Sequence, residues 1–231
     1  MKVGIIAPIN YLEFSTSPYL VYAKFITNNK YLNYYRSKLG TATILLDTSP
    51  VLPRENNLEV LSGAIKLLNP NKVILPSKDY SYKNTVNLVQ QFCRQSRRLS
   101  EELIGVLQGL DLESLLKCYT FLREVCGTIG LPSVLEKIAR RDEIVRDLGI
   151  KGPTLYIEVF TNPYEEIPPK NSLGICTSYP IRLAQDLREL DEYKNTPPSL
   201  DFHSPRGKLV KELVEGNIKE YLEVGEEEEV P

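Results

Sequence analysis

Carboxylates, an amide and a thiol recur in this chain where short apolar runs stop. Asp47 closes "TILLDT", Ser77 closes "KVILPS" with Asp79 two residues on, and Gln108 stands in "LIGVLQG". Glu158 stands in "TLYIEVF", Cys176 in "LGICTS", Asn10 just after "VGIIAP", and a Gly130-Leu131-Pro132 turn ends "TIGLPS". Together they offer carboxylate, amide and backbone groups with few fixed positive charges, which suits the edge of a neutral heterocycle better than a phosphate. The chain holds a single histidine, His203. General acid and base work therefore falls to carboxylates or to perturbed Lys, Cys or Tyr groups, and a Ser-His-Asp arrangement is disfavoured.

Each of these residues also has a structural explanation. Asp47 can cap the turn that follows it, and Gln108 can satisfy loop backbone. Cys176 can be a small buried apolar residue; as a nucleophile it would need a lowered pKa, with Arg182 as the nearest candidate to supply it. Glu158 reads equally as a spare carboxylate or an ion-pair partner, and Arg182 as a structural anchor or a phosphate contact.

The elements that must position these groups alternate. Seven continuous apolar runs, at 3–8, 43–48, 72–77, 103–109, 128–133, 154–160 and 173–178, have the character of parallel strands covered on both faces. Helical periodicity fills intervening segments. Residues 84–99 form one helix. In 111–125, Asp111 is the cap and Leu112, Leu115, Leu116, Tyr119 and Leu122 form the apolar face. In 133–149, Ser133 is the cap, Glu136 stands in capping-box position and Gly149 ends the helix. This pattern predicts an α/β fold, a TIM (β/α)8-type barrel that is incomplete or has one irregular strand, the eighth strand being hidden in 11–35 or 191–206. An open doubly wound sheet is the alternative, but the first strand lacks a glycine fingerprint and no P-loop occurs. The barrel is expected over residues 1–206, followed by a charged helix and acidic tail over 207–231.

At 231 residues with net charge −2, the chain is not a polycation held on nucleic acid by bulk electrostatics. Arg94, Arg97 and Arg98, and later Arg140 and Arg141, leave room for a local basic face. The four cysteines form no CxxC pair and have no histidine nearby, so no metal site and no cofactor are expected. The apolar run at the N-terminus is too short for a signal peptide or a membrane span, which points to a cytoplasm-like compartment, the host cytoplasm if the source is viral.

Four motifs in order, with a fifth short stretch beyond them, resemble the tRNA-guanine transglycosylase superfamily. "GICTSYPIRLA" resembles the stretch where a strand-end Asp is followed by Pro and then Arg-Leu-Ala; "IGVLQG" is similar to a Val-Gln-Gly strand and "TIGLPS" to a Gly-rich base-binding turn. "YAKFITNNKYLNYYRSKLGTATILLDTS" and "PPSLDF" resemble the branch that inserts 7-deazaguanine bases into DNA. The likeness spans roughly residues 1–205.

The resemblance implies a base-exchange pentosyltransferase. It would replace guanine in nucleic acid, DNA rather than tRNA, with a 7-deazaguanine base through a covalent sugar intermediate, on a nucleotide flipped from its stack. Asp47 would be the catalytic carboxylate; Gln108, Gly130, Asp79 and Ser77 would bind the base; Arg182 would touch the polymer. A homodimer follows by analogy alone. Departures accompany the likeness. Cys176 stands where the family has its nucleophilic Asp, Ser77 stands where a base-recognising Asp is expected, "LDTSP" lacks the usual Gly turn, and the zinc motif of the tRNA enzymes is absent after Cys176. An inactive homologue that binds a nucleobase, nucleic acid or partner subunit is the second reading, and an unrelated barrel enzyme on a small metabolite the third.

Overall fold

The computed structural model describes residues 2–48, 57–95, 102–158, 168–169, 171–185 and 210–226. Eight parallel strands form a nearly closed barrel of TIM type: β1 (Val3–Ile5), β2 (Tyr19–Tyr22), β3 (Ile44–Asp47), β4 (Lys72–Ile74), β5 (Leu103–Val106), β6 (Thr128–Pro132), β7 (Thr154–Ile157) and β8 (Gly174–Thr177). Their interiors are almost wholly apolar and buried, because each strand is covered by the barrel core on one side and by helices on the other. Seven are the runs expected from the sequence. The eighth is β2, in the Tyr-rich segment.

The helices among the described residues are α1 (Asn29–Arg36), α2 (Asn57–Leu68), α3 (Tyr82–Gln95), α4 (Leu112–Val125), α5 (Arg141–Asp147), α6 (Tyr179–Gln185) and α7 (Lys211–Glu226). Between β1 and β2 the chain makes only a 3-10 turn, Ile9–Phe14, before reaching the second strand.

The strands are bonded in the order β1-β8-β7-β6-β5-β4-β3-β2, so the barrel has one seam, between β1 and β2. A single side chain dresses that edge. Thr16 Oγ1 accepts from the Ile5 N–H at 2.9 Å and donates to the Val3 carbonyl at 2.8 Å, occupying two of the polar groups that a neighbouring strand would take. Gly4 lets the two sides close, since a Cβ there would stand 2.0 Å from the Pro18 carbonyl oxygen.

Two helical expectations need correction. Asp111 does cap α4, accepting from the Ser114 N–H at 2.7 Å while Ser114 Oγ accepts from the Asp111 N–H. The buried stripe, however, is Leu115, Cys118 and Leu122; Leu112 and Leu116, one turn apart on the helix flank, remain exposed. Gly105 on β5 brings this helix close, because a Cβ there would meet Leu122 and Cys126 within 3 Å.

The segment 133–149 is not one helix. A 3-10 turn, Ser133–Lys137, precedes α5, Ser133 caps nothing, and Gly149 follows at φ +61°. The break lets Arg141 turn inward. It is fully buried, pairs with Glu136 at 2.7 Å, donates to the Leu131 and Ile157 carbonyls at 3.2 and 3.4 Å, and lies 4.9 Å from the Tyr156 ring centroid. Arg141 therefore belongs to the frame and not to a basic surface; Arg97 and Arg98 lie outside the described residues.

Helix α7 lays Val214, Ile218 and Tyr221 in one cluster with Val3 and Ile5 of β1 and Tyr179 and Ile181 of α6. Asn217 Nδ2 secures it with a hydrogen bond to the Pro180 carbonyl at 3.2 Å. No helix among the described residues is long and apolar enough to cross a membrane.

Candidate active site

Parallel strands deliver side chains to the barrel rim at their carboxyl ends. A cavity of about 110 Å³ opens there, lined by Asp47, Thr48, Ser77, Asp79, Gln108, Ser133 and Glu158, with Val106, Pro132, Val134 and Ile157 as its apolar wall. This is well below the roughly 300 Å³ at which pockets begin to enclose whole ligands, so it admits a group presented at its mouth. Of the residues expected from the sequence, Asp47, Ser77, Asp79 and Gln108 converge on it. So does Glu158.

Gln108 is buried, and its amide is oriented by its neighbours. Its Oε1 accepts from the Tyr80 N–H at 3.1 Å, and its Nε2 faces Ser77 Oγ and Asp79 Oδ1, each at 3.4 Å. Tyr80 holds this position in the left-handed region at φ +60°. Asp47 ends β3, and its Oδ1 accepts from the Thr48 N–H at 2.6 Å and the Thr48 hydroxyl at 3.3 Å.

Glu158 follows β7 at φ +55°, a conformation that costs a non-glycine residue on the order of 1–3 kcal/mol and persists only where surroundings enforce it. Two bonds enforce it here. The Glu158 N–H donates to the Cys176 carbonyl at 2.8 Å, and the Tyr22 hydroxyl donates to Oε1 at 3.0 Å. Burial pushes the Glu158 carboxyl up from 4.5 to about 7, helped by the negative charge of Asp47; the Tyr22 hydrogen bond and the Arg182 charge oppose this, and Asp79 adds to it. Tyr22 is itself held well above the ordinary phenol value by burial and then by the charges of Glu158 and Asp47, so it stays a donor.

Three expected residues lie elsewhere. Cys176 sits inside the barrel beneath the rim, fully buried, paired in register with Gly4 and Ile157, its Sγ 3.9 Å from the Pro18 carbonyl oxygen. Burial, followed by the charge of Asp47, pushes its thiol far up, away from a thiolate. Gly130 lies one layer below the cavity, its open face filled by Ile157 and its carbonyl accepting from the Leu107 N–H at 2.9 Å. Arg182 is buried on α6, where its charge acts on Glu158.

Tyr22 carries no sequence signal for this site. In a chain with 14 tyrosines, one more inside a Tyr-rich segment reads as core. Among the described residues, no group of three or more His, Cys, Asp or Glu is arranged to hold a metal ion. The chain matches no family model and none of the curated proteins with which it was compared.

Proposed function

We propose that this barrel is a base-exchange pentosyltransferase that replaces guanine in nucleic acid, DNA rather than tRNA, with a 7-deazaguanine base. The observation that carries the reading is the convergence of Asp47, Asp79, Ser77 and Gln108, from three successive strand ends, on one small rim cavity. A carboxylate and an amide in one pocket suit the N–H and C=O edge of a purine. Asp47 is the nucleophile: one oxygen attacks the anomeric carbon as the glycosidic bond breaks, and the resulting sugar ester is resolved by the incoming base. Gln108, Ser77 and Asp79 hold the base edge. The choice of polymer rests on the resemblance of residues 22–49 to the DNA-modifying branch.

The burial of Cys176 favours a second reading, an inactive homologue that keeps the pocket and binds a base, since this residue stands where the family's nucleophile is expected and cannot reach a substrate. Incorporation of labelled guanine into duplex DNA, single-stranded DNA and unmodified tRNA separates the two. Incorporation by wild type that disappears in Asp47→Ala supports base exchange. A folded wild-type protein that incorporates nothing into any of the three polymers favours the binding homologue.

A further inference from the structure

We propose that Glu158 is the proton donor to the departing base, held in place by Tyr22; this assignment rests on the base-exchange reading. The argument is geometric. Glu158 lines the same cavity as Asp47 but reaches it from the opposite part of the barrel, at the end of β7, whereas Asp47 ends β3. A left-handed backbone, a main-chain bond to β8 and the Tyr22 hydroxyl all fix where its carboxyl group points.

The groups that act on Glu158 come from four elements. Tyr22 on β2 and Arg182 on α6 favour its ionised form; Asp47 on β3 and Asp79 beyond β4 favour its protonated form, as does burial. The balance raises the Glu158 carboxyl to about 7, so it can hold a proton near neutral pH. Two carboxyl groups separated by environment in this way divide the labour of acid and nucleophile.

The step balances. An Asp47 oxygen lone pair forms the bond to the anomeric carbon while the carbon–nitrogen bond breaks, its electron pair passing to the base. The Glu158 O–H bond breaks and its proton neutralises the base, leaving Glu158 as carboxylate. In the return half-reaction Glu158 takes a proton from the incoming base as that base's nitrogen displaces Asp47, which restores both groups.

The test compares wild type with Glu158→Gln in the first half-reaction, release of the departing base in a single turnover without added free base, on two single-stranded DNA substrates. One carries guanine, and the other carries 7-methylguanine, whose base departs as a neutral molecule without a proton. The expected result is a loss of at least about 100-fold on guanine, a loss of less than about 5-fold on 7-methylguanine, and disappearance of the decline in rate that wild type is expected to show as pH rises through about 7. Tyr22→Phe, which removes the bond that holds the carboxyl group, should lower the rate on guanine more than on 7-methylguanine and move that decline to higher pH.

An active wild type with a Glu158→Gln variant that keeps its rate and its pH profile overturns the assignment and leaves base exchange standing. Equal losses on both substrates also overturn it, by showing a structural role. A folded wild type without exchange overturns the base-exchange reading, and the assignment falls with it.

Discussion

Tyr22 and Glu158, 136 residues apart in sequence, meet across the barrel mouth through a hydrogen bond of 3.0 Å from the phenol to Oε1. Tyr22 is also the register partner of Asp47, so one aromatic side chain adjoins two of the cavity's three carboxyl groups. This bond favours the ionised form of Glu158. Tyr22→Phe should therefore raise the Glu158 pKa above its value of about 7, and should cost about 1–2 kcal/mol for the lost bond to a partly buried acceptor. Carbon-13 NMR titration of the glutamate carboxyls, with Glu158 assigned by its loss in Glu158→Gln, reads the shift. An unchanged or lowered pKa would show that the bond does not form.

Glu158 also predicts how stability follows pH. Its pKa is raised on folding, from 4.5 to about 7. The stabilisation this provides is full below pH 4.5 and is lost as pH rises through 7, reaching about 3 kcal/mol at most. Glu158→Gln cannot ionise, so its stability relative to wild type should increase between pH 4.5 and 7.5. Paired urea denaturations across that range test this; parallel curves would contradict it.

Gly4→Ala should be among the most damaging single-methyl changes in the protein. The added Cβ meets the backbone oxygen of Pro18 at 2.0 Å, which no rotamer change relieves. A loss of about 2–3 kcal/mol is expected. Gly130→Ala should cost less, because its nearest obstacle is the Cδ1 of Ile157, at 2.8 Å. Thermal melts of the two variants should rank them in that order.

Arg141→Ala should destabilise by about 3–5 kcal/mol, because it removes the buried guanidinium that pairs with Glu136 and leaves the Leu131 and Ile157 carbonyls without this donor. Arg141→Met keeps the packing against Tyr156 and should lose less. Denaturant midpoints for the pair separate packing from charge. A cost below 1 kcal/mol for the alanine variant would mean the guanidinium is dispensable.

Thiol chemistry should find one fast site. Cys93 is half-buried, whereas Cys118, Cys126 and Cys176 are buried, with burial pushing their thiols to about 11, about 12 and higher still. An aromatic disulfide reagent at pH 8 should titrate one equivalent rapidly, and Cys93→Ser should abolish that phase. Fast labelling of Cys176 would revive it as a nucleophile.

The barrel was legible because parallel strands buried on both faces write themselves as unbroken apolar runs, and because catalytic groups in such folds stand where the runs end. Strand β2 escaped that reading: "YLVY" begins and ends with tyrosine, and its polar neighbours Thr16, Ser17 and Lys24 blur its limits. Cys176 looked like a rim residue because it closes an apolar run, but the strand continues to Thr177 and the thiol points into the core one level down. Arg141 looked like half of a surface pair with Arg140, since no local pattern reveals that a guanidinium will find two carbonyls on neighbouring strands. Such partnerships depend on the closed barrel and are invisible to spacing.

The strand order also governs when the protein can become whole during synthesis. Strands β2 to β7 each find a neighbour next to them in sequence, so they can pair as they leave the ribosome. The ladder of β1 is with β8, where Val3 aligns with Ile175. The first strand of the barrel is therefore the last to gain a main-chain partner, and in the finished barrel its opposite edge meets the Thr16 hydroxyl.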